Sequence, residues 1–143
     1  MNSRILHRTA VVLIAFILLL HSGCGKPVKL VPAKGVVVIK GKPAAGISVQ
    51  FLPEHVKGEH RPTSFALTDD DGNFVLTTSD GKDGAVPGPH VVLLSDTQQE
   101  RPPQGEVART KPRLSGKRAT VAGGVRVTVP DSAEPIVVSL DGD

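Results

Sequence analysis

The stretch Ile47-Ser-Val-Gln-Phe-Leu52 decides the fold, because Ile47, Val49 and Phe51 recur with the period of two that a half-buried β-strand requires. Outward from it, glycine- and proline-rich turns separate six further short apolar runs, at residues 34–40, 64–68, 73–78, 90–94, 125–129 and 136–140. No helical periodicity lies between these runs. They predict an all-β protein, a seven-stranded antiparallel sandwich of Ig-like or prealbumin-like type.

Composition supports one β-rich domain. The chain has 143 residues, with four Phe and neither Trp nor Tyr, so Val, Ile and Leu must fill the core. Formal net charge is +3, but Arg4 and Arg8 lie in the N-terminal segment, and the remainder carries 15 basic against 14 acidic side chains. This balance does not indicate a nucleic-acid partner.

The N-terminal 23 residues have the layout of a bacterial secretory signal peptide. Arg4 and Arg8 precede an unbroken apolar run at residues 10–20, and small residues lead up to Cys24. A helix over this run would extend ~17 Å, well short of the ~30 Å hydrocarbon core, so a permanent transmembrane helix is disfavoured.

Ser22-Gly23-Cys24 resembles the lipobox of bacterial lipoproteins. The resemblance implies that Cys24 is the lipidation site, joined through its sulfur to a diacylglyceryl group that carries fatty-acyl chains such as palmitate. It further implies a membrane anchor, and Gly25 in place of Asp implies the outer membrane. His21 departs from the pattern, which usually has Leu. The alternative is an ordinary signal peptide cut nearby, which would leave Cys24 as a free thiol.

After a tether at residues 24–33, we expect the domain to occupy residues 34–143 and to contain a long loop at 96–123. Candidate contacts to an anionic partner in that loop are Arg109, Lys111, Arg113, Lys117 and Arg118. The partner could be lipid headgroups, an envelope polysaccharide or an acidic protein face. The alternative is a solvated loop kept soluble by its charge, and the lack of aromatic residues for stacking again disfavours nucleic acid.

Four stretches together resemble the carboxypeptidase regulatory-like, or transthyretin-like, β-sandwich domain: residues 35–43, 46–53, 68–74 and 83–88. The resemblance implies a seven-stranded prealbumin-like sandwich with a non-catalytic accessory or binding role. Its most specific element is Thr68-Asp-Asp-Asp-Gly-Asn-Phe74. We expect Asp69 to bond turn amides within a tight hairpin turn, Gly72 to adopt a positive φ, and Phe74 to enter the core.

No motif supplies a catalytic group, a cofactor or a metal, so the chain is not predicted to be an enzyme. With Gly72 at the sixth position of an EF-hand loop, the first and twelfth ligand positions fall on Leu67 and Thr78, and neither is a carboxylate. Weak calcium binding by the clustered aspartates 69–71 stays open. Glu54-His55 and Glu59-His60 could ligate zinc, but a solvated polar loop is favoured. His90 is expected to be partly buried at the head of a strand.

These features predict an exported, lipid-anchored lipoprotein of the bacterial cell envelope that acts as a non-catalytic binding or structural module. The domain would face the periplasm or the cell surface, with an envelope protein or polysaccharide as partner. The alternatives are a soluble periplasmic or secreted domain that binds carbohydrate or protein, and an accessory subunit of a separate hydrolase.

Overall fold

The computed structural model describes residues 28–56, 62–98 and 113–141. Nine strands and one short 3₁₀ helix, Gly116–Ala119, lie in these ranges. The strands are β1 (Lys34–Ile39), β2 (Lys42–Pro43), β3 (Ile47–Pro53), β4 (Ser64–Leu67), β5 (Asn73–Val75), β6 (Thr77–Thr78), β7 (Gly88–Asp96), β8 (Val125–Val129) and β9 (Ile136–Leu140).

The strands form two sheets. In the four-stranded sheet, β1 pairs with β2 and β5 along one side and with β9 along the other. The five-stranded sheet has the order β6-β4-β3-β7-β8. The predicted all-β class is therefore confirmed, with an architecture consistent with a β-sandwich. Each of the seven predicted runs contains a strand, and the two additional strands, β2 and β6, are two residues long.

The sequence predicted antiparallel pairing throughout, but one pair of strands is parallel. β9 runs parallel to β1, with Gly35 opposite Ile136 and Ile39 opposite Leu140. A hairpin forces its two strands to be antiparallel, but β9 follows a connection that crosses from the five-stranded sheet to the four-stranded one. The chain is thereby free to enter the edge of the second sheet in the parallel direction.

The core follows from the alternation along the strands. Ile47, Val49 and Phe51 of β3 all have fully buried side chains, and the rings of Phe51 and Phe74 lie 5.8 Å apart. Val37 on β1 and Val138 on β9 supply the facing layer from the other sheet. Apart from these two phenylalanines, the hydrophobic side chains of the core are aliphatic, as the composition predicted.

The predicted run 73–78 is divided between the two sheets. Its first part is β5, which pairs with β1, and its second part is β6, which pairs with β4. Leu76 separates the two strands, is fully buried, and donates its N–H to the Ala33 carbonyl at 2.9 Å. The aspartate turn that precedes β5 consequently joins strands of different sheets, β4 and β5, rather than closing a hairpin within one sheet as predicted.

Candidate functional site

The sequence-predicted site residues divide into those that the structure describes and those that it does not. Cys24, Arg109 and Lys111 lie outside the described residues, as do Glu59 and His60. Arg113, Lys117 and Arg118 lie inside, in the segment that leads from residue 113 to β8.

Arg113 is held by a partner at the end of β7. Its Nε lies 2.7 Å from Oδ2 of Asp96, and its Nη2 contacts the other carboxylate oxygen. The Asp96 side chain is only 3% exposed, and its Oδ1 also accepts the N–H of Gln98 at 3.0 Å. The Asp96 carboxylate raises the pKa of Arg113 above its usual range. The charge of Arg113 is thus largely neutralised within the fold by Asp96. This ion pair attaches the start of the basic segment, residues 113–118, to the end of β7.

Lys117 and Arg118 lie on the 3₁₀ helix. The Ser115 hydroxyl accepts the Lys117 N–H at 3.4 Å at the start of the helix, and Thr120 donates its N–H to the Lys117 carbonyl at 3.0 Å at its end. Arg118 reaches the Gly123 carbonyl at 3.3 Å, while Lys117 is exposed. Leu114 is buried in the core and fixes the segment in place. The helix thereby offers an ammonium group on an anchored turn, a geometry that can contact an anion.

His90 lies at the opposite end of β7. It is buried rather than partly buried as predicted, with 1% exposure, because its position on β7 points inward. Its ring lies 5.9 Å from that of Phe51, and Nδ1 is 2.9 Å from the Gly88 carbonyl. Burial lowers the pKa of His90 below its usual value, since the charged imidazolium would lose its hydration. His90 therefore serves as a buried ring whose Nδ1 is hydrogen-bonded locally.

The neighbouring Glu54 and His55 are exposed. Glu54 forms an ion pair with Arg126 of β8 at 3.3 Å. Within the described ranges, no group of three or more His, Cys, Asp and Glu side chains could hold a metal ion.

The aspartate turn matches its predicted physics. Oδ1 of Asp69 accepts the N–H groups of Asp71 at 3.0 Å and of Asn73 at 2.8 Å. Gly72 has φ +76°, and Phe74 is buried. These three expectations are confirmed, and the carboxylate of Asp69 is engaged by the turn itself.

Sequence reasoning missed Thr68, which comes directly before this turn. Its buried hydroxyl accepts the Ile47 N–H at 2.8 Å and donates to the Ala44 carbonyl at 2.7 Å. The motif contained the residue, but its partners lie 21 and 24 residues earlier in the chain, so the bonds require the folded pairing of β3 and β4.

A groove of about 450 Å³ runs between β8 and β9. Its lining includes Arg126, Thr128, Pro130, Glu134, Pro135 and Val137. The groove lies where both sheets end, since β8 and β9 are edge strands of their respective sheets.

Comparisons with known proteins return no match: no family model, no curated protein and no solved structure is similar to this chain. None of the helices in residues 28–56, 62–98 and 113–141 is long and apolar enough to cross a membrane.

Proposed function

We propose that this chain is an exported lipoprotein of the bacterial cell envelope, anchored through lipidated Cys24, whose β-sandwich is a non-catalytic binding or structural module. The observation that carries the proposal is the order of features in residues 1–24: basic residues, an apolar run, small residues and then a single cysteine. A thiol can accept a diacylglyceryl group as a thioether, and this would account for the one cysteine of the chain.

The proposed sandwich is of the Ig-like, prealbumin-like type that the family resemblance implies. The two β-sheets support this proposal, and their first strand begins at Lys34, about ten residues after Cys24. A tether of that length would place the domain close to the bilayer surface. Two or three acyl chains, each buried CH₂ contributing ~0.8 kcal/mol, would make the attachment nearly permanent.

We further propose that the basic segment contacts an anionic partner near the bilayer surface. Arg113 is paired with Asp96. Lys117, which is exposed on the 3₁₀ helix, is proposed to carry that contact, and Arg118 of the same helix is included with it. Arg109 and Lys111 belong to the same proposal. Lipid headgroups, an envelope polysaccharide and an acidic protein face share the required negative charge.

The decisive experiment is the mass of the mature N-terminal peptide from fractionated cells. We expect a peptide that begins at Cys24 and carries diacylglyceryl and acyl masses, with the protein in the outer-membrane fraction. Cys24→Ser should release the protein from the membrane, because the hydroxyl cannot form the thioether. Ser22→Ala is the matched control: it keeps a small residue before the cysteine and should leave processing unchanged.

An unmodified peptide that starts elsewhere would overturn the anchor and favour the soluble periplasmic or secreted alternative. A hydrolase that co-purifies stoichiometrically with the intact protein would instead favour the accessory-subunit alternative.

A further inference from the structure

We propose that the free edge of β9 binds an extended strand of a partner polypeptide that carries basic residues at both of its ends. This inference names the partner class of the binding module proposed above and rests on that proposed function. The observations that carry it are the pairing of β9, the charges at its two ends and the way the other sheet edges are protected.

Within residues 28–56, 62–98 and 113–141, no main-chain group pairs with the outer side of β9. Among the described strands it pairs only with β1, in parallel. The Leu140 carbonyl accepts the Lys40 N–H at 2.9 Å and therefore points toward β1. In a parallel ladder, the N–H and C=O of one residue point to the same side, and the side alternates along the strand. Val137 and Ser139 must accordingly direct both groups to the free edge, a pattern complementary to another strand.

Nothing within β9 discourages strand addition. Proteins protect sheet edges with short strands, charged side chains or proline. Among the other described edges, β2 is Lys42–Pro43, β5 and β6 have only three and two residues, and β8 carries Arg126. β9 has five residues, Ile-Val-Val-Ser-Leu, with neither a charge nor a proline, and the Val137 side chain is 60% exposed.

The charges around β9 select the partner. Glu134 precedes the strand and Asp141 follows it, both on exposed residues, so each end of the edge has a carboxylate. Arg126 is a cation of the adjoining groove, but it is paired with Glu54 at 3.3 Å. A strand with Lys or Arg at both ends meets opposite charge whether it binds parallel or antiparallel. A second copy of β9 would instead bring carboxylates together, which disfavours self-association.

The test uses the full chain purified in detergent and a fluorescent seven-residue peptide, Lys-Val-Thr-Val-Thr-Val-Lys. We expect saturable binding that weakens as salt is added, together with slowed amide exchange at Val137 and Ser139. The same peptide with Glu at both ends should bind at least about tenfold more weakly. A peptide that is N-methylated at alternate residues on the pairing side should not bind, because it lacks the donors.

Val137→Pro removes the outward N–H without removing a bond to β1, and it should abolish binding. Val137→Thr is the matched control, since it keeps both the N–H and the branched side chain. Glu134→Gln combined with Asp141→Asn should remove most of the preference for the Lys peptide over the Glu peptide.

Equal binding of the Lys and Glu peptides, full binding of the N-methylated peptide or no binding at all would overturn the proposal. A dimer of the peptide-free chain that Val137→Pro dissociates would overturn it too, because the edge would then belong to a second copy. The outcome is separable from the lipid anchor, which the mass of the N-terminal peptide decides independently.

Discussion

Two tight turns contain a glycine with nearly the same backbone angle, yet they are held in different ways. Gly41, with φ +75°, follows Lys40 in the two-residue turn of the hairpin between β1 and β2. Gly72, with φ +76°, ends the aspartate turn that passes from β4 in one sheet to β5 in the other. The space around Gly41 is open, whereas Gly72 is docked against the fold.

The docking of Gly72 is visible in its contacts. Its carbonyl accepts the Val37 N–H at 2.9 Å, and the Val37 carbonyl accepts the Ala44 N–H at 3.0 Å. A Cβ built on Gly72 would lie 2.7 Å from the Ala44 nitrogen, but one built on Gly41 would meet nothing within 4 Å. Both positions favour glycine for its positive φ, and only Gly72 also lacks room for a side chain.

The largest predicted effect follows from this difference. Gly72→Ala combines the cost of a positive φ with a clash against backbone, and we expect it to reduce the free energy of unfolding by about 3 kcal/mol. Gly41→Ala, the matched control, has only the conformational cost, about 1 kcal/mol. Urea denaturation of both variants measures the gap. Losses within a few tenths of a kcal/mol of each other would show that the Gly72 turn is not docked.

Asp69 tests whether the docked turn needs its internal hydrogen bonds. Asp69→Ala removes the acceptor of two N–H groups at an exposed site, and we expect a loss of about 1–2 kcal/mol in the free energy of unfolding. Asp70→Ala is the control, since Asp70 is exposed and its side chain makes no hydrogen bond within the described residues. Equal urea midpoints for the two variants would contradict the role of the Asp69 carboxylate.

The elements that could be predicted from sequence depend on local chemistry. Alternation along residues 47–52 predicted β3 and its buried face. The order Asp69, Gly72, Phe74 predicted the hydrogen bonds, the positive φ and the buried ring of a turn. Cys24 and its preceding small residues carry the anchoring hypothesis in the same local way.

What could not be predicted depends on partners distant in the chain. The Arg113–Asp96 ion pair spans 17 residues, so no local pattern showed that the charge of Arg113 would be used inside the fold. The parallel placement of β9 depends on the crossing between sheets, which the strand's own sequence does not encode. Composition could not show that the imidazole of His90 would join the core beside Phe51.

The smallest predicted effect concerns the open turn. Lys40 has φ +51° and, among the described residues, is the one non-glycine with a positive φ. With Gly41 it forms a two-residue hairpin loop of the type I′ kind, in which Asn-Gly is the favoured pair. Asparagine tolerates the left-handed region better than lysine, and the Lys40 backbone N–H would keep its bond to the Leu140 carbonyl.

Lys40→Asn should therefore raise the free energy of unfolding by about 0.5 kcal/mol. Lys42→Asn is the matched control, because it makes the same change in charge within β2, where asparagine is a poor strand former. The urea midpoint should rise for the first variant and stay level or fall for the second. A fall for Lys40→Asn would mean that the lysine side chain stabilises the turn, and that the two turns differ in more than the space around their glycines.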